Sequence, residues 1–241
     1  MARTVTTARP SPVEKINSST DEEFSEKYLT PAAPGASPWV TAWSDPRTGQ
    51  EYSIGLCKAP SLDKTDLGAC FDLVAETSKV DYEASKGGWR PKSKLIEMRS
   101  PDLRYILVKD EDGTVAAFTS LMPTREEGQL VVYCYEIHLK PNLQGAGLGR
   151  MLMGYLFTVA LNTGLHKVML TCFVSNNRAL NWYRQLGFQT DAISPQQRTL
   201  RSGRVFIPDY VILSKTMSRQ PVRQSNVTNG GEQAEQASAH D

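Results

Sequence analysis

The sequence predicts an α/β fold with a mixed, mostly antiparallel central sheet flanked by helices. Three observations carry that expectation. Apolar runs of strand length interleave with runs of helical period between residues 61 and 217. An acidic turn, Asp110-Glu111-Asp112-Gly113, separates two strand-like runs as a hairpin would. A small-residue loop, Gln144 to Arg150, joins a strand to a helix.

The elements follow in order. Residues 1–50 are rich in Ser, Thr, Pro and Gly and read as a mostly disordered N-terminal tail; Ser218 to Asp241 read as a second tail. Met1 to Arg9 has no acidic residue but also no amphipathic pattern, so it joins the tail rather than forming a transit peptide. Between the tails, residues 51–217 form one domain without an internal repeat, whose N-terminal helical part spans 61–99. Leu62, Leu67, Phe71, Leu73, Val74 and Val80 place a helix over Ser61 to about Ser85, with Ser61 as N-cap. Trp89 to Arg99 reads as a second helix. Tyr105 to Val108 and Thr114 to Leu121 make the hairpin, and a polar loop, Pro123 to Gly128, leads to the long strand Leu130 to Leu139. The helix Met151 to Leu161 ends near Thr163, with Gly164 as C-cap. A strand His166 to Val174, a helix Arg178 to Leu186 closed by Gly187, a short strand near Phe188 and a last strand Tyr210 to Lys215 complete the pattern.

With 241 residues the chain is long enough for one substantial domain plus tails. A net charge of +1 argues against strong non-specific binding to nucleic acid or to an anionic membrane. No apolar run approaches the roughly 20 residues that span a bilayer. Cys57, Cys70, Cys134 and Cys172 lack metal or redox spacing, so reduced thiols, no metal, and a cytosolic or nuclear compartment are expected.

The loop carries the first chemical signal. A strand feeding a helix through small residues leaves N–H groups unpaired at the helix start, and the helix dipole adds positive potential there. Such a turn accepts a phosphate or diphosphate, and glycines let it approach the main chain. A P-loop is excluded because Arg150 and Met151 follow the last glycine, with no hydroxyl for magnesium. A dinucleotide fingerprint is excluded because the glycines run Gly145, Gly147, Gly149 and no acid follows before His166. The spacing that fits is Gln-x-x-Gly-x-Gly over Gln144, Gly147 and Gly149.

That motif, with Asn176-x-x-Ala179 and Trp182-Tyr183-x-x-x-Gly187-Phe188 downstream, resembles the acetyl-CoA signature of the GNAT superfamily of N-acetyltransferases. The resemblance implies the GNAT fold and acetyl-CoA as cosubstrate. It implies that Ile137, His138 and Leu139, the loop residues Gln144, Gly145, Ala146, Gly147, Leu148, Gly149 and Arg150, and Asn176 hold acetyl-CoA. Tyr183 would be catalytic, close to the CoA sulfur.

The strand before the loop reads Tyr133-Cys134-Tyr135-Glu136-Ile137-His138-Leu139. Alternation sends Tyr133, Tyr135 and Ile137 one way and Cys134, Glu136 and His138 the other, unless a bulge intervenes. A carboxylate inside an apolar run is costly to bury without partners or chemical work. Glu136 is therefore the candidate general base. His138 is the alternative, with a packing or backbone role favoured for it. Cys134 shares the Glu136 face on this reading, but an apolar setting raises a thiol pKa, so direct transfer through a ternary complex is expected rather than an acyl-enzyme.

A narrower resemblance, to members of the family that acetylate histone N-termini, covers roughly residues 68–217. It rests on Val132-Tyr-Cys-Tyr-Glu136, Lys167-Val-Met-Leu-Thr171, Asp191 with Ser194-Pro195, and Asp209-Tyr210-Val-Ile-Leu213, with Phe71-Asp72-Leu73, Tyr82-Glu83-x-Ser85 and Trp89 upstream. It implies transfer of acetyl to the N-terminal serine of histone H4 and of the A-type H2 histone, both beginning Ser-Gly-Arg-Gly. Tyr82, Glu126, Tyr135, Thr171, Ser194 and Tyr210 would grip the peptide. It further implies a nuclear and cytoplasmic enzyme working as a monomer without an auxiliary subunit, with no direct nucleic-acid or membrane partner. Three positions depart from that pattern. Thr124 stands where an Asp is usual, leaving Glu126, ahead of Glu127, to meet the substrate arginine; Gly87 replaces a tryptophan and Ile193 a serine. A GNAT enzyme acting on a lysine side chain or a small amine is the alternative.

Overall fold

The computed structural model describes residues 9–30, 38–165 and 167–217. Of the expected tails, residues 1–8, 31–37 and 218–241 lie outside the described residues, as does the expected strand residue His166. Two short helices come first, α1 (Pro12–Ser18) and α2 (Asp21–Phe24), the second running into a π-helical turn over Ser25–Leu29. Each starts with a capping box, Ser11 with Glu14 and Thr20 with Glu23, which satisfies orphan N–H groups at the helix start. Then follow β1 (Ala42–Ser44), β2 (Glu51–Lys58), α3 (Lys64–Ala84), α4 (Pro91–Glu97), β3 (Arg104–Lys109), β4 (Val115–Glu126) and β5 (Gln129–Leu139). The second half comprises α5 (Leu148–Thr163), β6 (Lys167–Phe173), α6 (Asn177–Gln185), β7 (Gln189–Thr190), β8 (Arg198–Thr199), β9 (Val205–Phe206) and β10 (Tyr210–Thr216).

Eight strands form one sheet in the order β1-β2-β3-β4-β5-β6-β10-β7, and β8 pairs with β9 in a separate ribbon. Neighbouring strands are antiparallel except β5 and β6, which are parallel. The expected mixed, mostly antiparallel α/β sheet is what forms.

Each face of the sheet carries its own core, as the strand period of two requires. Ile106 and Val108 of β3 pack on the α5 face with Leu152, Tyr155, Leu156 and Val159. Tyr105 and Leu107 pack on the other face with Leu67, Cys70, Leu73 and Val74 of α3. α3 is capped by Asp63, whose carboxylate accepts the Asp66 N–H at 2.7 Å, rather than by Ser61. Ser61 instead ends a 3-10 turn over Ala59–Ser61. α5 begins at Leu148, a turn earlier than the apolar run suggested, because Gly147 at φ 92° redirects the chain there. It ends, as expected, at Gly164 with φ 74°. The expected loop Pro123 to Gly128 is a correction: β4 continues through Glu126, and only Glu127 and Gly128 turn.

The N-terminal expectation is also corrected. Residues 9–30 and 38–50 are not a disordered tail; they contribute Ile16, Phe24 and Leu29 to the α5-side core. Their apolar content is low, but a buried cation recruits them. Arg104 is fully buried and its guanidinium meets Asp21 Oδ1 at 2.5 Å and the Ser19 carbonyl at 2.6 Å, above the Phe24 ring. Asp21 Oδ2 also accepts the Lys58 N–H, and the Asn17 side chain donates to the Pro123 carbonyl at 3.0 Å. Breaking a buried ion pair from one side leaves an uncompensated charge, which typically costs about 3–5 kcal/mol. Asp21→Ala should therefore lower unfolding stability by about 3 kcal/mol, read from urea denaturation; a loss below about 1 kcal/mol would show that the N-terminal helices are only loosely applied.

Candidate active site

β5 and β6 pair only where Val132, Tyr133 and Cys134 meet Val168, Met169 and Leu170. Beyond that point they part. β5 stays bonded to β4 and β6 to β10, so one edge of β5 faces open space. Two cavities occupy the fork. One, of about 540 Å³, is walled by Tyr82, Lys94, Glu97, Glu126, Tyr133, Tyr135, Glu136, Thr171 and Tyr210 among others. The second, of about 480 Å³, runs from Thr77 and Leu139 along the glycine loop to Asn176 and Trp182. Ile137, His138 and Tyr183 line both.

A bulge decides what each cavity receives. Cys134 lies opposite Leu121 and Glu136 opposite Ser120, so Tyr135 has no partner of its own in the register. The extra residue reverses the alternation. Paired residues share a face, which puts Cys134 and Ile137 with Leu121 and Thr119 on the α5 side. Glu136 and His138 share the other face with Phe118, where Tyr135 also packs. Cys134 thus does not share the Glu136 face, correcting the strict alternation. Burial pushes its thiol up to about 12.

Glu136 is buried but fully partnered. Its Oε1 accepts Lys94 Nζ at 2.7 Å and its Oε2 lies 2.5 Å from His138 Nε2. An ionised carboxylate only accepts, so Nε2 carries the hydrogen. Burial alone would raise the Glu136 pKa, but the His138 and Lys94 contacts outweigh it and hold the carboxyl down, at about 2. Burial likewise opposes the charge on Lys94, yet Glu136 and Glu97 hold its pKa up. Lys94 Nζ has Glu97 Oε1 as a second partner at 2.7 Å and stands over the Tyr82 ring. On the other side, His138 Nδ1 lies 2.5 Å from Thr77 Oγ1, which donates to the Leu73 carbonyl. A continuous chain of polar contacts therefore runs from Glu97 at the first cavity to Thr77 at the second. Tyr183, where the cavities meet, keeps its phenolic proton because burial raises its pKa well above the ordinary value.

The glycine loop is shaped from both ends. Gly145 and Gly147 adopt φ 79° and 92°, which any other residue would adopt only with strain, and a Cβ at either would meet nothing. No side chain caps the start of α5. Arg47, in the β1–β2 turn, donates to the carbonyls of Asn142 and Gln144 while Asp45 fixes its guanidinium. Gln144 Nε2 donates to the Leu139 carbonyl at 3.1 Å, tying the loop to the end of β5. Uncapped helix N–H groups, an absent Cβ and Arg150 at the rim suit a diphosphate. The open β5 edge over Ile137 to Leu139 suits an amide-bearing arm.

Most expected residues converge here. Tyr82, Glu126, Tyr135, Glu136, Thr171 and Tyr210 line the first cavity, and Thr171 Oγ1 meets the Tyr133 hydroxyl at 2.6 Å. Gln144, Gly145, Gly147, Gly149, Arg150 and Asn176 line the second. Asn176 also caps α6: its Oδ1 accepts the Ala179 N–H and its Nδ2 donates to Asp81. Ala146 and Leu148 do not line the groove; the Leu148 side chain is fully buried in the core. Ser194 is a correction, since it lines neither cavity and its buried hydroxyl accepts the Ile212 N–H at 3.0 Å, bracing β10. Lys94, Thr77, Glu97, Asp45, Arg47 and Asp81 were not anticipated. A lysine in a short helix and an Asp-x-Arg turn look like solvated surface until the tertiary packing is known.

The family model described as the acetyltransferase (GNAT) family matches residues 71–188. The architecture around the matched segment is α/β, a mixed central sheet flanked by helices. The chain is 32% identical over 173 residues to N-alpha-acetyltransferase 40 of Saccharomyces cerevisiae, covering 59% of this chain. It spans only 60% of the length of that yeast protein. It is 26% identical over 158 residues, 66% of this chain and 96% of the relative, to the ribosomal protein bS18-alanine N-acetyltransferase of Escherichia coli K12. Among solved structures, the Escherichia coli ribosomal-protein-S18-alanine N-acetyltransferase aligns with TM-score 0.47 and 21% identity, over 70% of this chain and 97% of that one. GNAT acetyltransferases use acetyl-CoA, and among the described residues no cluster of metal-ligating side chains is found.

The depressed Glu136 carboxyl has a thermodynamic consequence. It contributes stability in full above its ordinary pKa of 4.5, and that contribution is lost as pH falls from 4.5 to about 2. Urea-denaturation stability should fall over this window, and should fall less steeply in Glu136→Gln. Parallel pH profiles for the two proteins would show that the carboxylate is not held this way.

Proposed function

We propose that this chain transfers acetyl from acetyl-CoA to the α-amino group of a polypeptide, as an enzyme of the N-alpha-acetyltransferase D type. Its acceptor is the N-terminal serine of histone H4 and of the A-type H2 histone. The observation that carries the reading is the junction of the two cavities at Ile137, His138 and Tyr183, with Glu136 on the acceptor side. The likeness to N-alpha-acetyltransferase 40 supports the α-amino acceptor. Glu126 lines the acceptor cavity and suits a peptide with a basic residue near its start.

When bound, acetyl-CoA supplies an activated thioester. Gln144 to Arg150 and the β5 edge would hold it. The remaining work falls to the chain's own residues. A peptide α-ammonium has a pKa of roughly 8 and must lose a proton before its nitrogen attacks. Glu136 receives that proton at a carboxylate oxygen, directly or through a water. In the resting site Lys94 weakens the carboxylate as a base. Lys94 also has Glu97 as a partner, so its hold on Oε1 can be exchanged for that of an incoming ammonium. Tyr183 holds a proton at its hydroxyl where the cavities join, which makes it the donor for the departing sulfur. Cys134, on the opposite face with its thiol raised to about 12, takes no part.

Glu136→Gln should lower kcat by about 10²- to 10⁴-fold while KM for peptide changes little, because the amide keeps the size of the side chain; an unchanged kcat would remove Glu136 as the proton acceptor. Arg47→Ala should raise KM for acetyl-CoA several-fold and leave kcat nearly unchanged, because it loosens the loop without touching the acceptor. The decisive assay is acetylation of peptides that differ in their first four residues, with the modified nitrogen located by mass spectrometry. Acetate on the α-nitrogen of Ser-Gly-Arg-Gly peptides supports the reading. Acetate on lysine side chains alone, or on small amines alone, refutes it.

A further inference from the structure

A third cavity, of about 480 Å³, adjoins the acceptor cavity and shares Tyr82, Lys94, Glu97, Phe173 and Tyr210 with it. Its character differs. The wall is mostly apolar, built from the rings of Tyr82, Trp89, Phe173, Phe206 and Tyr210. Tyr82 stands edge-on to both Trp89 and Phe173, with centroids 5.2 and 4.8 Å away. Charged groups also line it, among them the exposed Arg90. Lys94 pairs with Glu97, and the Lys86 N–H donates to Asp209 Oδ2 at 2.6 Å. Lys86 Nζ bonds the Ile207 carbonyl and lies 4.1 Å over the Phe206 ring, strapping the β8–β9 ribbon onto the turn after α3. The same ribbon segment exposes Leu200, Val205 and Ile207.

We infer that this cavity is a subsite for an apolar side chain of the substrate polypeptide, downstream of the residue that is acetylated. The inference rests on the α-amino reading above and extends it. A wall made mostly of ring surface favours an aliphatic or aromatic group over a charged one, whose desolvation the rings would not offset. Continuity with the acceptor cavity makes the occupant the same polypeptide whose amine lies at Glu136. Ser-Gly-Arg-Gly contains no apolar side chain, so the subsite reads a position beyond those first four.

Gly87 provides the test. It lines the cavity with an ordinary backbone conformation, and a Cβ there would meet only Ser85 Oγ, at 3.7 Å. Gly87→Trp should therefore fill the space without backbone strain. Peptides beginning Ser-Gly-Arg-Gly would carry a single leucine, scanned through successive later positions, and kcat/KM would be measured for each. At one position, or two adjacent ones, leucine should raise kcat/KM about tenfold, the scale of burying one aliphatic side chain. Gly87→Trp should erase that gain while kcat on the leucine-free peptide stays within about twofold. Gly87→Leu, a smaller filling, gives the same reading at reduced size if the tryptophan variant does not fold. A flat scan with good α-acetylation overturns the subsite alone, as does a gain that survives both fillings. Absence of α-acetylation on every peptide overturns the α-amino reading, and the subsite with it.

Discussion

The site depends on how briefly β5 and β6 stay together. Three residue pairs hold the parallel strands before they separate, and this separation creates both cavities. Backbone polar groups left without a partner must meet solvent or ligand, so the free edge of β5 cannot be closed over by core. The bulge at Tyr135 sits where the strands part. It turns Glu136 and His138 away from α5 and toward α3 and α4. Without the extra residue, the carboxylate would point into the apolar packing around Leu121 and Leu170, where it would lack its partners.

Around Glu136 the charges alternate: Glu97, Lys94 and Glu136 follow one another, and the His138 ring then reaches Thr77. The members come from α3, α4 and β5, so the polar chain also fixes how the two helices lie on the sheet. Buried polar groups of this kind are stable only when each has its partner. The arrangement therefore ties the integrity of the α3–α4 layer to the protonation of a single carboxylate.

Much of this was legible in the residues. Regular periodicity located α3, α5, α6 and the long strands, because those elements bury continuous apolar faces. The left-handed turn at Gly147 and the cap at Asn176 could be anticipated because backbone conformation and capping are local properties of sequence. What escaped depends on long-range packing. Ile16, Phe24 and Leu29 are too sparse to announce helices, and they are ordered by Arg104, a residue many positions away. The bulge left no mark in the Tyr133 to Leu139 pattern, because the buried and half-buried residues still alternate through it while the faces exchange. Lys94 resembles any lysine of an amphipathic helix until α4 is laid across β5. Ser194 was misplaced because adjacency to a motif says nothing about which way a hydroxyl points.

The Arg47 clamp lies outside the segment that matches the family model. The segment matching the acetyltransferase family begins at residue 71, whereas the guanidinium that fixes the carbonyls of Asn142 and Gln144 comes from the turn between β1 and β2. The part that carries the chemistry is therefore not self-sufficient. Its most recognisable motif is held in shape from outside the recognisable region. Recombination or truncation guided by the shared segment alone would keep every glycine and discard the residue that keeps them in register.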